Sequence, residues 1–81
     1  MPYRDNLSAE QAIRIFQAEG AHWQDQGDDF SSYFVSNKTG EHLGAVWDSS
    51  AFWTYRIGGQ NGSAHSMKSA KRFVERYFND L

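Results

Sequence analysis

From Ser66 to the C-terminus the apolar residues fall three and four apart. Ala70, Phe73, Val74, Tyr77, Phe78 and Leu81 make one stripe, while Lys68, Lys71, Arg72, Glu75, Arg76 and Asn79 fill the other side. Ser66 is placed to cap the start of this helix. A helix with a single apolar stripe must lay it on another element. A chain of 81 residues has room for one such core, and with no cysteine it has neither a disulfide nor a thiolate-bound metal to staple it. The core must therefore come from large side chains, and six Phe, four Tyr and three Trp supply them. We expect a single α+β domain over residues 1–81.

A second helix is written near the start. Ser8-Ala9-Glu10-Gln11 reads as a capping box, in which the Ser8 hydroxyl accepts from an early N–H and Gln11 reaches back. Leu7 sits where a hydrophobic staple belongs. Ala9, Ala12, Ile13 and Phe16 recur at helical spacing, which predicts a helix over about 9–19 with Gly20 as its C-terminal cap, although Ala21 to Gln24 could extend it. Gln24 to Asp29 reads as a polar connection.

Between the helices the period changes to two. Phe30 to Asn37 has strand-type residues, and Asn37-Lys38-Thr39-Gly40 is a type I turn with Gly40 in the left-handed position. That turn pairs Val35 with Leu43 and Tyr33 with Ala45, which puts Tyr33, Val35, Leu43, Ala45 and Trp47 on one apolar face. A three-residue loop, Ser49 to Ala51, adds Trp53, Tyr55 and Ile57 of a third strand to that same face. Gly58 to Ser63 reads as a flexible loop that lets a strand reverse into the last helix. The expected architecture is α-β-β-β-α, a three-stranded antiparallel sheet with two helices packed on one face.

Chemistry-bearing patterns are sparse. His22, His42 and His65 fall on a helix end, a strand and a loop without metal-ligand spacing, and Asp28-Asp29 reads as a solvated pair. Gly58-Gly59-x-x-Gly62 lacks the strand-loop-helix setting of a phosphate or dinucleotide site. These readings predict no enzyme, no catalytic residue, no metal and no cofactor. No charged start precedes an apolar run, and no apolar stretch approaches the roughly 18 residues of a membrane span, so a cytoplasmic protein without membrane attachment is expected. Charge is unevenly placed: residues 1–50 carry a net charge of −5 and residues 51–81 one of +3.

Ser66-Met67-Lys68-Ser69-Ala70-Lys71 resembles the helix start of double-stranded RNA-binding domains, whose element order is also α-β-β-β-α. The resemblance implies that Lys68 and Lys71, assisted by Arg72, reach phosphates across a groove. The overall charge of −2 favours a different partner. In size, acidity and lack of cysteine the chain also looks like small accessory proteins of phages and mobile elements, including anti-CRISPR inhibitors. That likeness is one of class and assigns no residue.

The sheet face away from the helices is the other candidate. In this register it shows Phe34 beside Gly44 with Arg56 on the far strand, together with His42 and Phe52, an aromatic and Arg content typical of binding hot spots. The preferred reading is a non-enzymatic module that binds a protein partner or a second copy of itself through Phe34, Arg56, His42 and Phe52. The alternative is duplex RNA at Lys68, Lys71 and Arg72. Phe30 and Phe52 could instead be buried by the Met1 to Asn6 segment. Glu19, Asp25, Asp28 and Asp29 are the nearest approach to an anionic patch.

Overall fold

The computed structural model describes residues 7–27 and 30–80. The roles considered for Met1 to Asn6 and for Asp28-Asp29 lie outside them. The order is α1 (Ala9–Glu19), β1 (Ala21–Asp25), β2 (Ser31–Ser36), β3 (His42–Asp48), β4 (Trp53–Ile57), β5 (Gln60–Ala64) and α2 (Met67–Asn79). The strands form one antiparallel sheet in the order β1-β2-β3-β4-β5. The chain is α+β, but the expected three-stranded α-β-β-β-α plan is corrected to five strands.

Both helices begin and end where local chemistry directs. The Ser8 side chain accepts from the Gln11 backbone N–H at 3.1 Å, and the Gln11 side-chain Oε1 accepts from the Ser8 N–H at 2.9 Å, closing the box. Gly20 caps the other end at φ 74°, and its N–H donates to Phe16. The backbone leaves that cap extended and enters β1 at once. This is why Ala21 to Asp25 form a strand rather than a helical extension. Ser66 caps α2 by accepting from the Ser69 N–H at 3.1 Å.

The strand β5 has almost no strand-forming residues. It exists because Gly58, at φ 60°, starts a two-residue turn that folds the chain back and pairs Ile57 with Gln60. Gly58 also lies under α1, where a Cβ would come 2.6 Å from the Ala9 nitrogen. Farther along β5, a Cβ at Gly62 would collide with the Tyr55 ring. The absent side chain is what lets that ring lie across the strand.

The helices cover a different face from the one expected. Phe34 is 5% exposed, and its ring lies 4.8 Å from Trp23, 5.6 Å from Phe78 and 6.0 Å from Phe16. This aromatic group shares its core with Ala12, Leu43, Val46, Ile57, Ala70 and Val74. The turn does place Gly40 at φ 72° and pairs Tyr33 with Ala45. However, the ladder slips between Phe34 and Val35, so that Val35 pairs with His42. Leu43 is the extra residue of this bulge, and it joins the core beneath the helices. The next loop has four residues, Ser49 to Phe52, so that Asp48 pairs with Trp53 and Trp47 with Thr54. Trp47 and Trp53 consequently stand on opposite faces.

Two serines made the true core face look polar. Ser32 and Ser36 flank Phe34 and are fully buried, yet each is satisfied: Ser32 donates to Asp25 at 2.8 Å and Ser36 to Glu19 at 2.7 Å. Because Phe34 is central to this packing, Phe34→Ala should lower stability by about 3–5 kcal/mol, measured by chemical denaturation. Tyr33→Ala, one residue away on the opposite face, should cost less than half as much.

Candidate functional site

The four residues proposed for partner contact do not form one site. Phe34 is a core residue and is withdrawn from any contact surface. Gly44 does not open a space outward, because it makes room for α2: a Cβ there would meet Val74 Cγ1 at 3.0 Å. Phe52 lies in the β3–β4 loop at 46% exposure, beside Ser63, His65, Ser69 and Phe73. Only His42 and Arg56 occupy the face away from the helices.

That face is built by strict alternation. Its positions are His22 and Gln24 on β1, Ser31, Tyr33 and Val35 on β2, His42, Ala45 and Trp47 on β3, Thr54 and Arg56 on β4, and Asn61 and Ser63 on β5. No Asp or Glu holds any of these positions, although the chain carries ten acidic residues. Tyr33 and His42 stack at 4.4 Å between ring centroids. Arg56 donates to the Asn61 side chain at 2.9 Å, which fixes the guanidinium against the sheet. His22 contacts the Asn37 side-chain oxygen at 2.6 Å. Val35 and Ala45 between these groups are 1% and 0% exposed, and Tyr33, His42, Trp47, Thr54 and Arg56 around them are half-buried. Tyr33 and Trp47 were assigned to the core from sequence. Their alternation was visible, but the four-residue loop that separates them from Trp53 was not.

The basic residues of α2 are also divided. Lys71 donates to Asp25 at 3.1 Å, and its nitrogen lies 5.2 Å from the centre of the Trp23 ring. The Trp23 indole N–H donates to Glu75 at 2.7 Å. Lys71 and Glu75 thus bind β1 to α2, and Lys71 is engaged in holding the fold. Lys68 and Arg72 are exposed and make no ion pair among the described residues. Glu19 and Asp25, read as an anionic patch, are likewise tied to Ser36, Ser32 and Lys71.

No family model, curated protein or solved structure matches this chain. Among the described residues, no group of three or more His, Cys, Asp or Glu is placed to hold a metal ion, and no helix is long and apolar enough to cross a membrane.

The Asp25 carboxyl is held below the usual carboxylate range, first by the hydrogen bond from Ser32 and then by the hydrogen bond and charge of Lys71. A depressed carboxylate stabilises the fold above its unfolded pKa, and that contribution disappears as pH falls through the folded value. The β1–α2 connection should therefore weaken in acid below the ordinary aspartate range of about 3.9. A carboxyl NMR titration should show the Asp25 pKa rising in Ser32→Ala and also in Lys71→Met.

Proposed function

We propose that this chain is a non-enzymatic protein-binding module whose contact surface is the face of the sheet opposite the helices. The observation that carries this reading is the composition of that face. Trp47, Tyr33, His42 and Arg56 cluster on it without a single carboxylate at a strand position, in a chain that is acidic overall. Aromatic and Arg side chains are the groups that supply most of the energy at protein interfaces, and exclusion of acidic residues is typical of interface centres. The stacked Tyr33–His42 pair and the Arg56–Asn61 bond hold these groups in place before binding, which lowers the entropy cost of association. A module of this kind acts by occupying a surface of its partner, the mode implied by the class likeness to phage inhibitors of larger complexes.

Duplex RNA binding has lost its main supports. The topology behind that resemblance is replaced by a five-stranded sheet, and Lys71 is committed to Asp25 and Trp23.

The test is capture of cellular partners with the wild-type chain and with the double variant Trp47→Ala/Arg56→Ala, using Glu10→Ala/Arg14→Ala on the solvent side of α1 as control. A partner held by the wild type and the control should be lost by the open-face variant. Removing a central aromatic or Arg anchor should weaken association by about 2 kcal/mol or more. The melting temperature should change much less than in Phe34→Ala. Retention of the partner by the open-face variant would move the contact elsewhere.

A further inference from the structure

A second surface lies on the helix side, along the free edge of the sheet. After β5 the chain turns at His65-Ser66 and α2 runs back beside it. The groove between them is lined by Ser63, Ala64, Ser69 and Phe52 at one end, and by Asn61, Gln60, Tyr77 and Arg76 at the other. Phe73 borders both halves and is 45% exposed, with Tyr55 stacked against it at 5.2 Å. The wider half encloses about 520 Å³.

Three features of the groove define what fits it. The first is backbone. In an antiparallel ladder closed by a two-residue turn, alternate residues point their peptide groups outward, and on β5 these are Asn61 and Ser63. The strand is short and uncharged, with none of the Lys, Pro or inward charge that usually guards an edge. The second is the aromatic floor, Tyr55 and Phe73, which exists only because Gly62 has no side chain. The third is charge. Arg72 and Arg76 stand one turn apart on the groove side of α2 beside Phe73, and of the two only Arg76 has an ion-pair partner among the described residues, Asp80 at 3.8 Å.

We propose that this groove binds an extended acidic segment of a partner protein, added to β5 as a sixth strand. An apolar side chain of the segment lies on Phe73, and a carboxylate two residues along reaches Arg72 and Arg76. The spacing agrees. Residues two apart in a strand span about 7 Å, and the helical rise from Phe73 to Arg76 is about 5 Å, a difference that the length of an arginine side chain covers. A second copy of the chain fits less well, because pairing β5 with β5 would bring the two arginine pairs together. A nucleic-acid strand would meet the charge and the rings, but it would leave the outward peptide groups of Asn61 and Ser63 without the alternating partners that a polypeptide strand supplies.

The probe is the blocked heptapeptide acetyl-Ser-Glu-Thr-Phe-Thr-Glu-Ser-amide, titrated into isotope-labelled protein and followed by backbone amide NMR. Saturable shifts should appear at Asn61, Gly62 and Ser63, with slowed exchange of the Ser63 amide. The same peptide with Lys for Glu should not bind. Arg72→Glu/Arg76→Glu should weaken binding at least about tenfold. Ser63→Pro removes an outward donor that the native sheet does not use, so it should abolish binding with the spectrum of the fold preserved. If that variant does not fold, Phe73→Ala, at an exposed position, supplies the same comparison. The proposal is overturned by absence of shifts on β5, by equal binding of the Lys peptide, or by shifts confined to the open face. It is equally overturned by a single-stranded oligonucleotide that binds the groove of Ser63→Pro as well as that of the wild type, or by sedimentation showing a dimer that Ser63→Pro dissociates.

Discussion

The close seat of α2 on the middle of the sheet is the contact on which the rest depends. Val74 enters the space left by Gly44, and the helix then lies near enough for Ala70 and Phe78 to be buried on the same strands. From that position each flank of the helix reaches one side of the sheet. Lys71 and Glu75 hold β1 through Asp25 and Trp23, while Phe73 and Tyr77 extend over β4 and β5. Side chains at Gly44 or Gly62 would lift the helix or displace Tyr55, and either change would loosen an outer strand. Stability in so small a domain is therefore pooled in one helix and not spread over independent contacts.

Legibility in the sequence followed the range of the interactions involved. Both helices could be read, with their caps, because capping boxes and apolar stripes are local patterns within one or two turns. The turn at Asn37 to Gly40 was equally local. What could not be read were choices made by tertiary packing. β1 has a single large apolar residue, and its identity as a strand depends on Trp23 meeting Phe34 and Glu75 far along the chain. β5 has no strand-type composition at all and is ordered by its partner β4. The choice of core face depended on whether Ser32 and Ser36 would find acceptors, and those acceptors, Asp25 and Glu19, lie on other elements. The candidate site suffered from the same cause. Arg56 and His42 were placed on the open face as read, but Phe34 was exchanged for Tyr33 and Trp47 once the loop at Ser49 to Phe52 shifted β4.

The two proposed contact surfaces draw little on the groups that hold the fold. The open face is the side of the sheet that no described helix covers, and its Trp47, Tyr33 and Arg56 are not members of the core cluster. The groove uses the outer side of α2 and the outer edge of β5, again leaving Ala70, Val74 and Phe78 untouched. Because these groups lie outside the core cluster, substitutions on either surface leave the packing of Ala70, Val74 and Phe78 in place.

Tyr55 is where the two requirements meet. Its ring packs on Phe73 and spans Gly62, so it both secures β5 to α2 and forms the floor of the groove. Its strand neighbour Arg56 faces the other way, onto the open face, where it holds Asn61 of the same edge strand. β5 is thus gripped from above by an aromatic ring and from below by a guanidinium, through consecutive residues of β4. An edge strand with so poor an intrinsic preference keeps a defined register because both grips fix it. A strand held in register by its neighbour presents its outward peptide groups at fixed spacing, the condition an incoming strand needs.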